Sequence, residues 1–179
     1  PTLLLDRKFW EKKILPINSL KKGKYMFVYL LYGNEKTRKV IKEKAYQHNV
    51  SIVFIPHIHF SYQKKDVGFS DVDMYRVGPL EFLRLIYDAE IVVTDSFHCS
   101  LFSMMFEKNF WVIQENAVGQ ASTSGRMQSL MSKASLIDRL VSSASEIDLS
   151  ASISYSDINS KVPGFIDYSK KVLEDFLES

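Results

Sequence analysis

The stretch Thr94-Asp95-Ser96-Phe97-His98 places a carboxylate, two hydroxyls and an imidazole between the apolar pair Val92-Val93 and a second apolar run ending near Phe106. An imidazole beside hydroxyls and a carboxylate can move protons, and the same groups can hold an anion. They can equally close a helix end: Asp95 or Ser96 as a cap is worth about 1 kcal/mol, and His98 would then be an inert first-turn residue. On spacing alone the cap is the more economical reading, and the chemical one stays open beside it.

A second constellation is Ser122-Thr123-Ser124-Gly125-Arg126, which closes the small-residue stretch from Glu115 to Gly125. It reads as a hydroxyl-rich loop leading into a helix from Arg126 to Met131. A cation in a first helical turn opposes the helix dipole, so Arg126 either meets an anion from ligand or fold or faces solvent. His57 and His59 would share one side of an extended segment, but no nearby Cys, Asp or further His completes a metal's ligand set, and no metal site is expected. Cys99 beside His98 raises a thiol nucleophile; a small cysteine more often packs. No glycine-rich fingerprint follows an expected strand, so a nicotinamide cofactor has no support.

The elements that must hold these residues are legible. Tyr25 to Tyr32 is apolar and aromatic throughout, as a strand covered on both faces would be. The pattern predicts a helix over Glu35 to His48 with Val40, Ile41 and Ala45 inward, then a strand over Ser51 to Ile55, together one βαβ unit. Periodicity lapses from His57 to Arg76, which reads as a long loop. It returns as a helix opened by Pro79 with Phe82, Leu83 and Ile86 on one stripe, a strand over Glu90 to Thr94, a helix over Ser100 to Phe106 and a strand over Phe110 to Ile113. Ser142 to Ser160 is serine-rich and weakly patterned, and Phe165 to Leu177 reads as a closing amphipathic helix with Tyr168, Val172 and Phe176 inward. The alternation is that of an α/β domain with a doubly wound, mostly parallel, Rossmann-like sheet. In such a sheet, ligands bind at the carboxyl ends of the strands, where Asp95, Ser96 and His98 fall.

At 179 residues the chain suits one α/β domain over its whole length, and 46% hydrophobic with 25% charged residues is the balance of a soluble globular protein. The formal net charge of +2, with both signs interspersed, argues against nucleic acid or an anionic membrane as main partner. The lysines at 21, 22 and 24 and at 64 and 65 read as solvated surface. One cysteine allows no internal disulfide and fits a reducing compartment. No apolar stretch is long enough for a transmembrane segment, and no signal peptide is apparent. The opening Pro1-Thr2-Leu3-Leu4-Leu5-Asp6 lacks an initiator methionine, as a chain cut from something longer would, or one whose methionine is processed off ahead of a proline.

A wider set of residues carries a more specific likeness. Val77-Gly78-Pro79-Leu80-Glu81-Phe82-Leu83, then Ala89 to His98, Phe102-Ser103, Phe110-Trp111-Val112-Ile113 and Ser124-Gly125-Arg126-Met127 together resemble the polysaccharide pyruvyl transferase family. In that family a "GPEEFL" helix precedes a "VVTDSFHGT" turn, and an "SRI" helix start follows. Pro1 to Leu5 looks like its "DPTLLL" segment, and Ser154 to Phe176 like its closing segment. This chain departs from the pattern at Cys99, where the family usually has glycine, and in lacking an arginine ahead of the final helix.

The resemblance implies the C-terminal domain of a two-domain enzyme of the GT-B type, with its own N-terminal domain as partner across a cleft. It implies transfer of the enolpyruvyl group of phosphoenolpyruvate to a glycan or lipid-linked sugar acceptor, closing to a pyruvate ketal, in bacterial capsule or exopolysaccharide synthesis. Phosphoenolpyruvate is then the donor substrate and no cofactor is implied. His98 is the expected catalytic residue, as general acid or holder of the donor phosphate. Asp95, Ser96, Phe97, Cys99 and Ser100 around the turn, with Ser124 and Arg126, are the expected substrate-binding set, Asp95 orienting the turn. The expected setting is cytoplasmic, at the inner face of the membrane beside the glycan assembly machinery. Two alternatives stand: a GT-B glycosyltransferase with a nucleotide-sugar donor, and a non-catalytic glycan-synthesis partner with the same fold.

Overall fold

The computed structural model describes residues 6–14, 16–17, 20, 24–56, 63–115, 121–156, 158, 167, 170–171 and 174–175, and leaves the side chains of 121–124 outside that description. Strand β1, Tyr25–Tyr29, is apolar on both sides because both sides are covered. Tyr25 and Phe27 point into one core, with Leu83, Ile86, Leu101, Met104, Met127 and Met131. Met26 and Val28 point into the other, with Ile41, Ala45, Ile52 and Phe54. Successive strand side chains alternate faces, so an unbroken apolar run is what a sheet between two helical layers requires.

In chain order the elements are α1 (Arg7–Glu11), β1, α2 (Glu35–Gln47), β2 (Ser51–Phe54), β3 (Val72–Asp73), α3 (Pro79–Asp88), β4 (Ile91–Thr94), α4 (Phe97–Met105), β5 (Asn109–Ile113), α5 (Ala121–Lys133) and β6 (Leu140–Val141). The six strands lie in the order β3-β2-β1-β4-β5-β6, and every neighbouring pair is parallel. The chain begins in the middle of the sheet, winds outward to β3, then crosses back to β4 and winds outward the other way. This is the doubly wound, Rossmann-like arrangement that the alternation predicts. Its switch point lies between β1 and β4, which pair from Met26 with Ile91 to Tyr29 with Thr94, and loops diverge there to leave a crevice.

Several boundaries differ from expectation for physical reasons. The strand predicted to Tyr32 ends at Tyr29, because the amides of Leu31 and Tyr32 turn to the Asp95 carboxylate instead of a neighbouring strand. The stretch read as loop up to Arg76 contains a 3-10 turn at Lys64–Asp66 and the edge strand β3, too short to show alternation. The helix that holds Ser100 runs from Phe97 to Met105 and is capped by Ser96, one of the two caps that the sequence offers. The helix expected from Arg126 starts at Ala121, so Arg126 lies beyond the first turn and meets no dipole penalty there. The serine-rich region follows an unpredicted sixth strand, Leu140–Val141. Tyr168, Val172 and Phe176 of the closing helix lie outside the described residues, as do His57, His59 and Pro1 to Leu5. No helix among the described residues is long and apolar enough to cross a membrane.

Candidate functional site

The sheet's switch point is tied together by polar groups from both strands. At the end of β4 the Thr94 hydroxyl donates to the Tyr29 carbonyl at 2.7 Å and accepts the Ser96 amide at 3.0 Å. Asp95 then reaches across to the loop that leaves β1: Oδ1 accepts the Leu31 amide at 2.7 Å, and Oδ2 accepts the Tyr32 amide at 2.8 Å and the Gly33 amide at 3.4 Å. Successive amides turned to one point form an anion seat, and the turn after the first strand is where a Rossmann-like sheet commonly holds a phosphate. Here the chain's own carboxylate fills it. Burial pushes the Asp95 carboxyl above the ordinary carboxylate range, while the Leu31, Tyr32 and Gly33 amides pull the other way. Gly33 is suited to the tight loop, since a Cβ there would lie 2.9 Å from Leu30 Cδ1.

The carbonyl side of the same loop is held by cations. Arg38 donates to the Gly33 carbonyl and pairs through Nε with Asp66 Oδ1 at 2.8 Å. Its guanidinium lies 5.6 Å from the Phe54 ring centroid and 5.8 Å from that of Phe69. Lys65 reaches the Gly33 carbonyl at 3.0 Å, and burial lowers its pKa, with the neighbouring Arg38 charge acting in the same direction.

With the β1 seat filled, the end of the crevice open to an anion is the start of α4. Ser96 caps the helix in extended geometry and accepts the Cys99 amide at 3.4 Å. The Phe97 and His98 amides open the helix, and first-turn amides have no acceptor within it. There is no acidic residue in that turn, so the positive end of the dipole is uncompensated within the helix. A cavity of about 160 Å³ lies against it, lined by Leu31 and Tyr32 after β1, Asp95 to His98, Gln114 after β5, and Arg126 with Met127 from α5. The Arg126 guanidinium sits 5.4 Å from the Phe97 ring centroid. The His98 ring meets the same phenyl edge-on at 5.7 Å. Both His98 and Arg126 are exposed, and among the described residues no carboxylate forms an ion pair with Arg126. A cation, an imidazole and helix amides therefore border one small cavity together with the Asp95 carboxylate; since that carboxylate is turned to the β1-loop amides, the remaining groups suit a compact anion.

Of the residues singled out in the sequence, Asp95, Ser96, Phe97, His98 and Arg126 line this cavity. Cys99 and Ser100 do not, and both are wholly buried. Burial pushes the Cys99 thiol up to about 12, against hydrogen bonds with Thr94 and Ser103 that lower it, so it is not a thiolate near neutral pH. The Ser100 hydroxyl is shared between the Ser96 carbonyl at 2.9 Å and the Phe97 carbonyl at 3.0 Å. The side chains of these two residues therefore pack and brace the first turn of α4; the expectation of donor binding in this stretch concerns the backbone amides after His98. Cys99 faces the core instead of crowding the cavity. Ser124 lies in α5 with its side chain outside the description. Among the described residues no group of three His, Cys, Asp or Glu is placed to hold a metal ion.

Leu31, Tyr32, Gln114 and Met127 were not found by sequence reasoning. Leu31 and Tyr32 are placed by β1 lying beside β4, Gln114 by β5 on the other side of β4, and Met127 by α5 packing against α4.

The sheet is shared with larger enzymes. UDP-GlcNAc 2-epimerase from Methanocaldococcus jannaschii is similar in fold at 16% identity and TM-score 0.50, over 92% of this chain and 49% of that one. The Neisseria meningitidis UDP-GlcNAc 2-epimerase, in a crystal structure bound to UDP-GlcNAc, is similar at 14% identity and TM-score 0.52, over 97% and 49%. The chain thus spans about half the length of these solved structures. No curated protein matches it. The profile of the family described as polysaccharide pyruvyl transferase matches residues 1–116, a span that holds the β1 loop, the Asp95 to His98 turn, α4 and β5 and stops short of Ser124 and Arg126. With nearly two thirds of its length inside that match, the chain belongs to the polysaccharide pyruvyl transferase family.

Proposed function

We propose that this domain binds phosphoenolpyruvate at the start of α4 and takes part in transferring its enolpyruvyl unit to hydroxyls of a cell-surface glycan, closing to a pyruvate ketal. The observation that carries the reading is the grouping of His98, Arg126 and the first amides of α4 around one cavity of about 160 Å³. The cavity is smaller than the 300–1,000 Å³ usual for larger ligands, which favours a compact donor over a whole nucleotide sugar.

The chemistry needs few parts. A proton delivered to C3 turns the methylene into a methyl group and makes C2 electrophilic. One sugar hydroxyl bonds to C2 and loses its proton; the C2–O bond to phosphate breaks, and inorganic phosphate leaves with one proton. A second hydroxyl adds at C2 and loses its proton, closing the ketal. The exchange is redox-neutral and, as written, uses no cofactor besides the donor. His98 serves as the acid for C3 or holds the departing phosphate; Arg126 and the α4 amides offset the donor's charge. Asp95 keeps the β1 seat filled, directing the anion to α4. In this reading an N-terminal domain supplies the other wall of the cleft, and the protein works in the cytoplasm, at the membrane's inner face, on a lipid-linked acceptor.

The test is thermal denaturation of the full-length protein with phosphoenolpyruvate and, separately, with UDP-GlcNAc. Stabilisation by phosphoenolpyruvate alone is expected, together with ketal formation on a glycan acceptor. Stabilisation by the nucleotide sugar alone would replace this reading with a glycosyltransferase. Donor binding without turnover in the full-length protein would leave a non-catalytic partner.

A further inference from the structure

We infer that a second depression beside Tyr32 seats the acceptor sugar, an inference that rests on the pyruvyl-transfer reading of the neighbouring cavity. This groove has a volume of about 510 Å³ and lies on the same edge of the sheet, between the start of α2 and the turn after β6. Asn34, Lys36, Glu115, Ser142 and Ser145 contribute to its walls. Tyr32, 55% exposed, borders both the groove and the donor cavity. A sugar held in the groove is thereby adjacent to a donor at α4.

The lining has the chemistry of a polyhydroxylated ligand. Serine hydroxyls both donate and accept, as sugar hydroxyls do, and the Asn34 side chain keeps one N–H beyond the bond it makes to Glu115. An exposed tyrosine ring offers a flat apolar surface to the C–H face of a pyranose, with its own hydroxyl at the rim. Within the lining Lys36 and Glu115 oppose in charge, and the nearby Lys65 is engaged by the Tyr32 and Gly33 carbonyls, which makes the groove a weak seat for a polyanion. Glu115 is fixed in place: Oε2 accepts the Asn34 side-chain Nδ2–H at 3.0 Å, and Oε1 accepts the Thr37 hydroxyl. Asn34 also caps α2 by accepting the Thr37 amide at 2.9 Å, which ties the carboxylate to a helix start. Two donors leave the carboxylate further lone pairs for sugar hydroxyls. The volume falls within the usual range for small-molecule sites, about 300–1,000 Å³. A nucleotide base stacked on Tyr32 is the competing occupant; a single lysine opposed by a carboxylate is a poor seat for its phosphates.

The experiment is saturation-transfer difference NMR on the full-length protein with lactose, cellobiose and mannobiose, without phosphoenolpyruvate. At least one disaccharide is expected to give signals that weaken about tenfold in Tyr32→Ala, weaken in Glu115→Gln, and persist in Tyr32→Phe, which keeps the ring. No signal from any of the three, signals unchanged in both Tyr32→Ala and Glu115→Gln, or full displacement by uridine monophosphate would overturn the inference. The wild-type thermal shift with phosphoenolpyruvate is read separately. If that shift is absent while the sugar signals behave as expected, the donor reading fails and the sugar site stands.

Discussion

Asp95 Oδ1 accepts the Leu31 amide at 2.7 Å across the line where the chain leaves β1 toward one edge of the sheet and β4 toward the other. This bond, with those to Tyr32 and Gly33, closes the anion seat at β1 and leaves the start of α4 as the open one. Removing the carboxylate should therefore both loosen the loop and reopen a competing seat. Asp95→Ala leaves partly buried amides without their acceptor, a loss of about 1–3 kcal/mol. Urea denaturation should give a lower midpoint with an unchanged slope.

The same carboxyl makes stability depend on pH. Its pKa is raised in the folded protein, chiefly by burial, so the native state binds its proton more tightly than the unfolded chain does. The stabilisation from that proton is full below the unfolded value, near about pH 4, and is lost as pH rises through the raised folded value. Relative to Asp95→Asn, the wild type should become less stable as pH climbs across that window. Urea titrations of both proteins over the window measure the difference; a flat or rising one would contradict it.

His98 is exposed at the rim, so its removal should spare the fold. In the full-length protein, His98→Ala is expected to abolish ketal formation while circular dichroism and melting temperature stay close to wild type. Arg126→Ala removes a charge-assisted contact worth about 1.5–3 kcal/mol, and should raise KM for phosphoenolpyruvate by about 10–100-fold. Unchanged kinetics in His98→Ala would take it out of the mechanism.

How much of this was readable in advance depended on the reach of each interaction. The strands and α2 rest on local periodicity, and their type was legible from residues such as Met26, Val28, Ile41 and Ala45. The ends of elements were set by distant partners: Leu31 and Tyr32 read as strand because nothing near them announces a bond to Asp95, more than sixty positions away. Nothing in the sequence near Arg38 marks it as buried, yet it is enclosed against Asp66 from a stretch without pattern. At the site, the turn from Asp95 to His98 was found by composition, and Arg126 by its place beyond a hydroxyl-rich stretch. Tyr32 and Glu115 could be found only once β1, β4 and β5 were known to be neighbours.

Cys99 stands where the family usually has glycine, and its side chain packs in the core without lining the cavity. Its thiol, pushed up to about 12 by burial, should resist alkylation by iodoacetamide at neutral pH and react fully in denaturant. Cys99→Gly should lower stability by about 0.3 kcal/mol from helix propensity, with a larger loss from the vacated space. It should leave donor binding intact. Rapid labelling of the native protein would show that α4 opens at its first turn.

The grip on the β1 loop can be separated from the stability of the ion pair that provides it. Arg38 and Asp66 are 3% and 0% exposed in their side chains, and among the described residues Asp66 Oδ2 has no hydrogen-bond partner. Asp66→Asn would leave a buried guanidinium without its counter-charge, a loss of about 3–5 kcal/mol. Replacing both, as Arg38→Met with Asp66→Leu, removes the stranded charge and should recover much of that loss, because buried pairs often do no better than apolar residues of similar volume. The double variant still lacks the donor to the Gly33 carbonyl, so the loop that presents Leu31 and Tyr32 is held only from its amide side and by Lys65. A double-mutant cycle in urea should therefore give strong coupling between the two positions, while the thermal shift with phosphoenolpyruvate stays reduced in the double variant. Recovery of both stability and donor binding would mean that the pair serves the fold and that Asp95 alone positions the loop.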